Sequence, residues 1–403
     1  MDKKMWSFPW RYRESLVLAA ALVSGGFALQ LILGPVNLYL LHYPANLILG
    51  GFIVLAALIS PKNTRVVNWL SGVHWAVALM LALLLLSLIM GLTPQGGHMH
   101  GLPARLGFNR LTSSWPLGLV YMAILFSLAL VTARRLFPFR RRSLVFIFNH
   151  LGLWLVLLAA GLGAADRISH VMYVEEGQVE WRVYNKNREV LELPLAIRLD
   201  KFEMEEYPPR LAVIDRRTGA ALPEGAPVIF QVDSDTNPRL LDWDLMVLNY
   251  LYNAVPGGEG QYRESGMMAA AQAVEVKAVN RLTSETRQGW VSAGNRFLPP
   301  SPLILSDDRL LVMTQPEPRR FTSKVKVFTR DGLETESLVE VNRPLRAGGW
   351  LIYQYGYDNQ AGRMSGYSSF LLVYDPWLPA AYAGLALWAL GSIGLIWGKA
   401  RKT

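Results

Sequence analysis

The sequence predicts an integral membrane α-helical protein of six transmembrane helices, with a large mainly-β extracytoplasmic domain inserted between the fifth and sixth. Three observations predict it: five apolar runs before Ala165, a polar stretch of about two hundred residues after it, and one last apolar run near the C-terminus. The runs are Ser15–Leu33, Ala45–Ser60, Val73–Leu92, Trp115–Ala133, Leu144–Ala165 and Pro376–Trp397. A helix rising about 1.5 Å per residue needs roughly 20 apolar residues to cross a hydrocarbon core about 30 Å thick. Only the second run falls short, and its Gly50-Gly51 pair weakens it further. A cleaved signal peptide is the rival for the first run, but its apolar stretch is too long and no small-residue cleavage site follows.

Lys and Arg in short loops set orientation, because cytoplasmic loops are enriched in them. Lys3, Lys4, Arg11 and Arg13 precede the first run, Lys62 and Arg65 follow the second, Arg134, Arg135, Arg140, Arg141 and Arg142 follow the fourth, and Lys399, Arg401 and Lys402 close the chain. With six crossings these clusters share one side, so both termini are expected in the cytoplasm and the polar domain outside, as in a multi-pass protein of a bacterial inner membrane. The net charge of +9 largely reflects this bias. No nucleic-acid partner is expected, since the basic residues sit at membrane edges without a stacking platform. The division predicted is 1–72 for two N-terminal membrane helices, 73–169 for a three-helix core, 170–375 for the β domain, and 376–403 for the last helix and tail.

The domain reads as β. Leu193, Leu195, Ile197 and Leu199 alternate with a period of two. Val171–Tyr184 contains Glu176-Gly177 between two apolar stretches and predicts a hairpin; Val325–Phe328 and Leu338–Val341 do the same around Asp331-Gly332. Trp350–Tyr357 and Phe370–Tyr374 are aromatic, β-branched runs. Asn253–Gln272 lacks periodicity and predicts an insertion or loop with some helix. Asp375-Pro376 offers an N-cap acceptor and a first-turn proline for the last helix.

Catalytic chemistry is sparse in the domain. It holds no histidine beyond His170, which excludes a His-based triad, and no GxSxG, phosphate-binding loop, HExxH or dinucleotide fingerprint. With no cysteine in the chain, it performs no thiol exchange itself. Glu203, Glu205 and Glu206 read more readily as a solvated strand end than as a cation or partner site, and Tyr353, Tyr355 and Tyr357 more readily as packing than as a platform. No residue is assigned a catalytic role.

The six histidines sort by topology. His42, His98, His100 and His170 fall at the outer side; His74 and His150 open the third and fifth apolar runs at the inner side. Ionisable residues in membrane segments are expensive and invite a functional reading, and neutral imidazole is a common haem-iron ligand. His150 follows Arg140, Arg141 and Arg142, which could anchor an anionic ligand. An interfacial histidine satisfied by a neighbouring helix is the alternative, favoured on position alone. His74 is a weaker ligand candidate, and His98 and His100, in a Gly-rich loop, are a weak metal signal.

Thr112-Ser113-Ser114-Trp115-Pro116, Arg134-Arg135-Leu136, His150-Leu151-Gly152, Glu192-Leu193-Pro194-Leu195, Asp200-Lys201-Phe202-Glu203 and Glu206-Tyr207-Pro208-Pro209 follow one another in this order. After them come Val341-Asn342-Arg343-Pro344-Leu345, Gly349, Ile352-Tyr353-Gln354, Tyr357 and Tyr374-Asp375-Pro376. Together they resemble the ResB family of cytochrome c biogenesis proteins over roughly Val73–Trp397, most specifically over Asn342–Tyr357. The resemblance implies a membrane subunit of the system II cytochrome c synthase, co-catalytic at most. It would work with a ResC (CcsA) type partner to move haem b outward as a transported substrate and position it for attachment to apocytochrome c. It implies His150 alone as an axial ligand of the haem iron; Arg141 and Arg142, by their position before it, are candidate propionate contacts, and Gly152 beside it lacks a side chain and would let a flat macrocycle approach the helix closely. The other axial histidine and the Trp-rich haem-handling segment belong to the partner. Extracytoplasmic thiol-disulfide proteins would keep the substrate cysteines reduced, and membrane lipid surrounds the helices. The first two helices, and the absence of a cysteine before the Arg pair, depart from the family plan. Other classes remain open: a haem-free membrane transport or sensor subunit with a β ligand-binding domain, or a structural anchor.

Overall fold

The computed structural model describes residues 6–61, 64–97, 99–184, 189–232, 239–267 and 269–400, with backbone alone at 38, 39, 259 and 398–400. The chain divides into two compact units, Met1–Ile168 with Asp375–Thr403, and Ser169–Tyr374.

The first unit is helical: α1 (Tyr12–Leu33), α2 (Ala45–Ile59), α3 (Arg65–Leu70), α4 (Val73–Leu92), α5 (Leu102–Arg105), α6 (Trp115–Leu136), α7 (Leu144–Gly161) and α8 (Leu378–Ala400). Among the described residues five helices, α1, α4, α6, α7 and α8, are long and apolar enough to cross a membrane. The helix α2, with 15 residues, is shorter, about 22 Å at 1.5 Å per residue. One core gathers Ile53 and Ala57 of α2, Leu125 and Ala129 of α6, and Trp154 and Leu158 of α7; another joins Ala19 of α1, Leu79 and Leu86 of α4, and Val120 of α6. Polar groups tie the helices where backbone bonds do not. The Tyr121 hydroxyl donates to Leu157 O at 2.7 Å and the Trp154 indole N–H to Leu125 O at 3.1 Å. The outward faces stay apolar, with Ile48 and Phe52 of α2 and Leu84 and Leu88 of α4 exposed, as a lipid-facing surface requires.

The helix α7 ends at Gly161, earlier than the apolar run predicts, and a 3-10 turn Gly163–Asp166 follows. The helix α8 begins at Leu378, two residues beyond Pro376, with the Trp377 N–H donating to Asp375 Oδ1 at 3.0 Å. Asp375 therefore accepts in the turn leading into the helix and not as its N-cap, and Pro376 lies ahead of the first helical turn.

Among the described residues the second unit holds seventeen strands, numbered in chain order: β1 (Ile168–Glu175), β2 (Val179–Tyr184), β3 (Val190–Glu206), β4 (Arg210–Asp215), β5 (Ile229–Gln231), β6 (Arg239–Leu240), β7 (Trp243–Pro256), β8 (Tyr262–Glu264) and β9 (Ala271–Asn280) in its first half. Then come β10 (Thr286–Ser292), β11 (Leu303–Ile304), β12 (Arg309–Met313), β13 (Pro318–Thr329), β14 (Glu334–Glu340), β15 (Leu345–Ala347), β16 (Trp350–Tyr357) and β17 (Tyr367–Tyr374). They make two sandwiches. One packs the sheet β1-β17-β16-β15 on β14-β13-β3-β2 around Met172, Ile197, Leu199, Val327, Ile352 and Phe370. The other packs β11-β12-β4-β5 on β10-β9-β7-β6 around Leu211, Trp243, Leu245, Val276 and Leu311. The second, β4 to β12, is inserted between β3 and β13, which pair antiparallel in the first.

The alternation at Leu195, Ile197 and Leu199 is the buried face of β3, and the Asp331-Gly332 hairpin forms as expected, with Phe328 opposite Glu334. The Glu176-Gly177 hairpin does not. The strand β1 joins β17 in one sheet and β2 joins β3 in the other, so this turn crosses the sandwich edge. Met172 and Val183 therefore meet in one core from opposite sheets. The expected loop at Asn253–Gln272 is also corrected. Asn253–Pro256 end β7, Tyr262–Glu264 pair with them as β8, Ala271 opens β9, and among the described residues the helical content is one 3-10 turn, Gly258–Gly260. A strand this short pairing with its own neighbour leaves too few residues for a period-two signal.

Candidate functional site around His150

Sequence places His150 in the second turn of α7, whose apolar run needs no other reason to be helical. Its faces are distinct. Trp154 and Leu158 are buried towards α6 and α2, and Ile147 is buried as well. Val145, Asn149, Gly152 and Val156 meet α8, where Gly384, Gly391 and Gly394 present backbone. His150 lies between these faces, half-buried. Its Nδ1 is 3.0 Å from Phe146 O, one turn back. A carbonyl can only accept, so Nδ1 carries the proton and donates, and Nε2 keeps the lone pair that a metal needs.

The Phe146 ring stacks on the imidazole, with centroids 3.8 Å apart and planes 18° from parallel. The Arg135 guanidinium lies 5.0 Å above the Phe146 centroid. Arg135, Phe146 and His150 thus form a column from the end of α6 to α7 that fixes the imidazole plane. Arg141 and Arg142 stand elsewhere, exposed in the 3-10 turn Arg141–Ser143 before α7. Arg142 is about 12 Å from His150 along the axis, at 1.5 Å per residue. Sequence reasoning missed the column; the i, i+4 spacing of Phe146 and His150 was its available signal.

Gly152 also differs from expectation. Its missing side chain suggested room for a flat macrocycle to approach the helix, but a Cβ there would lie 2.3 Å from Trp388 N and 2.7 Å from Gly384 O. The space is filled by the α8 backbone, as small residues allow at close helix crossings. A planar ligand must reach His150 from another side.

The remaining candidates do not converge on His150. His74 opens α4, its ring edge-on to Tyr12 at 4.5 Å. His100 lies just before α5, and His98 falls outside the described residues. Among the described residues no three His, Asp or Glu side chains group to hold a metal ion. His170 is on β1, 6.4 Å from the Trp350 ring, and burial pushes its pKa down.

A second polar constellation was not anticipated. Asp166 accepts from Tyr43 N, Asn46 Nδ2 and the Trp377 indole N–H, each at 2.7 Å, and His42 Nδ1 lies 3.4 Å away. Burial raises its pKa, but the bonds from Trp377, Tyr43, Asn46 and His42 outweigh burial and hold it below the usual carboxylate value. This is a brace between the start of α2, the end of α7 and the start of α8.

In the β unit the motif residues explain themselves by packing. Gln354 is buried between the sheets, where Ser323 Oγ donates to its Oε1 at 2.7 Å and its Nε2 donates to Ser368 Oγ at 2.6 Å. Asn342 takes a left-handed turn at φ 63°, which asparagine tolerates better than most. Gly348 and Gly349, both at positive φ, make the two-residue link from β15 to β16. Tyr357 packs against Phe202 and Phe321, whereas Tyr355 is exposed. Glu203 pairs with Lys201, Glu205 lies 4.0 Å from Arg320, and Glu206 accepts from Gln272.

No curated protein matches the chain. Residues 257–373, from the end of the inserted sandwich's β7 to β17, match the model of the ResB-like family, which is associated with cytochrome c biogenesis.

Proposed function

We propose that this protein is the membrane subunit of a system II cytochrome c synthase, holding haem by His150 while a ResC-type partner supplies the second axial imidazole. The observation that carries the reading is the ResB-like match over 257–373. The geometry of His150 supports the assignment of the ligand: Nδ1–H is donated to Phe146 O and Nε2 is left to coordinate. Haem is the substrate here, large, apolar and dianionic. Apolar helices solvate its body, the Phe146 stack holds the imidazole plane, and Arg135 or the Arg141-Arg142 pair supplies positive charge for the propionates. The apocytochrome brings the thiols that add to the haem vinyl groups, which suits a chain with no cysteine.

The proposed orientation needs α2 to cross. With α2 spanning, the basic residues before α1, around Arg65, between α6 and α7 and after α8 share the cytoplasmic side; without it they split. At about 22 Å, α2 requires the bilayer to thin or flanking residues to extend it, a modest cost. In a host lacking its own maturation system, this chain with a ResC-type partner is expected to mature a reporter cytochrome c, and neither alone. Robust maturation by this chain alone, or none with a functional partner, would overturn the reading.

A further inference from the structure

A cavity of about 580 Å³ opens in the helical unit where the segment before α1 meets α3 and the start of α4. Phe8, Trp10 and Trp69 form its walls, and Arg11, Arg65 and His74 line it as well. The walls are fixed. Trp10 stacks on Phe8 at 4.4 Å and meets Trp69 edge-on at 5.0 Å, and the Trp69 indole N–H donates to Ser15 Oγ at 2.8 Å.

Among the described residues neither the Arg11 nor the Arg65 guanidinium has a carboxylate within 4.0 Å. Arg134, next to the same loop, spends its guanidinium on Ser71 Oγ and Asn68 Oδ1. The neighbouring carboxylate, Glu14, is buried and accepts the Arg11 backbone N–H at 2.8 Å. Two exposed guanidiniums at one aromatic cavity give it a positive potential, and the planar fork of arginine suits phosphate and carboxylate oxygens.

Aromatic rings and arginines at the end of an apolar helix are also the chemistry of the membrane–water boundary. We propose that this cavity binds the acidic group of an anionic amphiphile, a phosphate or carboxylate held by Arg11 and Arg65, with the apolar body against Trp10 and Trp69. The chemistry is common to an anionic phospholipid and to a dicarboxylic porphyrin. It is independent of the role given to His150, since no residue is shared.

The full chain, purified in non-ionic detergent and given equal phosphatidylglycerol and phosphatidylcholine, is examined by native mass spectrometry. Phosphatidylglycerol should be retained about tenfold over phosphatidylcholine, and Arg11→Gln/Arg65→Gln should remove that preference, consistent with charge-assisted hydrogen bonding. The single variant Arg65→Gln, on an exposed residue, should weaken it with the thermal midpoint unchanged. Arg105→Gln/Arg110→Gln removes equal charge elsewhere and should leave retention intact. Displacement of the lipid by protoporphyrin IX would assign the cavity to both sources, and no displacement to phospholipid alone. Equal retention of the two lipids together with no porphyrin binding, or equal loss in the control pair, would overturn the proposal.

Discussion

Replacing Gly152 with alanine places a methyl group where α8 already stands. The new Cβ would lie 2.3 Å from Trp388 N and 2.8 Å from Trp388 Cα, against an optimum of about 3.5–4.0 Å between carbon atoms. The two helices must therefore part by roughly 1 Å. The seam cannot absorb this by local adjustment, because it is equally tight along its length. A Cβ at Gly391 would meet Asn149 N at 2.3 Å, one at Gly394 would meet Val145 Cγ1 at 2.8 Å, and one at Gly384 would meet Val156 N at 2.9 Å. Separation would also stretch the bond from Asn149 Nδ2 to Ser392 Oγ, 2.8 Å long. Alanine gains up to about 1 kcal/mol of helix propensity over glycine, whereas overpacking costs about 1–3 kcal/mol and more against backbone. Gly152→Ala should thus lose about 1–2 kcal/mol net. Gly51→Ala in α2 meets nothing within 4 Å and should be neutral or slightly stabilising. Thermal unfolding in detergent reads both: a drop of several degrees for Gly152→Ala and none for Gly51→Ala. A Gly152→Ala midpoint at or above wild type would refute this packing of α7 on α8.

Other predictions test separate parts of the structure. Asp166→Ala strands the donors of Tyr43, Asn46 and Trp377 and should cost about 1–3 kcal/mol. Because the folded-state pKa of Asp166 is depressed, its contribution is present above the unfolded carboxylate pKa and lost as pH falls through the folded value. The gap in unfolding midpoint between wild type and Asp166→Ala should therefore narrow at strongly acid pH, and a pH-independent gap would count against the brace. Gln354→Ala leaves Ser323 and Ser368 buried without their shared amide and should destabilise the β unit by about 1–3 kcal/mol, measured by chemical denaturation; an unchanged midpoint would show the triad to be dispensable. Reporter fusions after Arg141 should be active in the cytoplasm and those after Gly257 outside, and the reverse pattern at either would end the proposed topology.

The helices were legible because an apolar run of membrane length has few other fates, and Val73–Leu92 is recovered to the residue. Legibility fell where partners come from afar. A turn such as Glu176-Gly177 looks alike whether it links neighbours in one sheet or crosses a sandwich, because local pattern carries no information on which strands pair later. The insertion of β4 to β12 between β3 and β13 is equally invisible to periodicity. At the candidate site, the position of His150 on its helix could be read from sequence. Its stack with Phe146 could have been suspected from spacing, but Arg135 joins through the packing of α6 on α7. Gly152 misled because an absent side chain signals close approach without saying of what. Asp166 gave no signal, since its donors lie more than a hundred residues away in sequence.

The visible spectrum of the complex co-purified with a ResC-type partner tests the central claim most directly, through variants of the two inner histidines. With His150→Ala the Soret absorption should fall sharply and return in part on addition of imidazole, which fills the vacated ligand position, while His74→Ala should keep near wild-type haem. Undiminished haem in His150→Ala, with His74→Ala depleted instead, would contradict the account and move the ligand from α7 to α4.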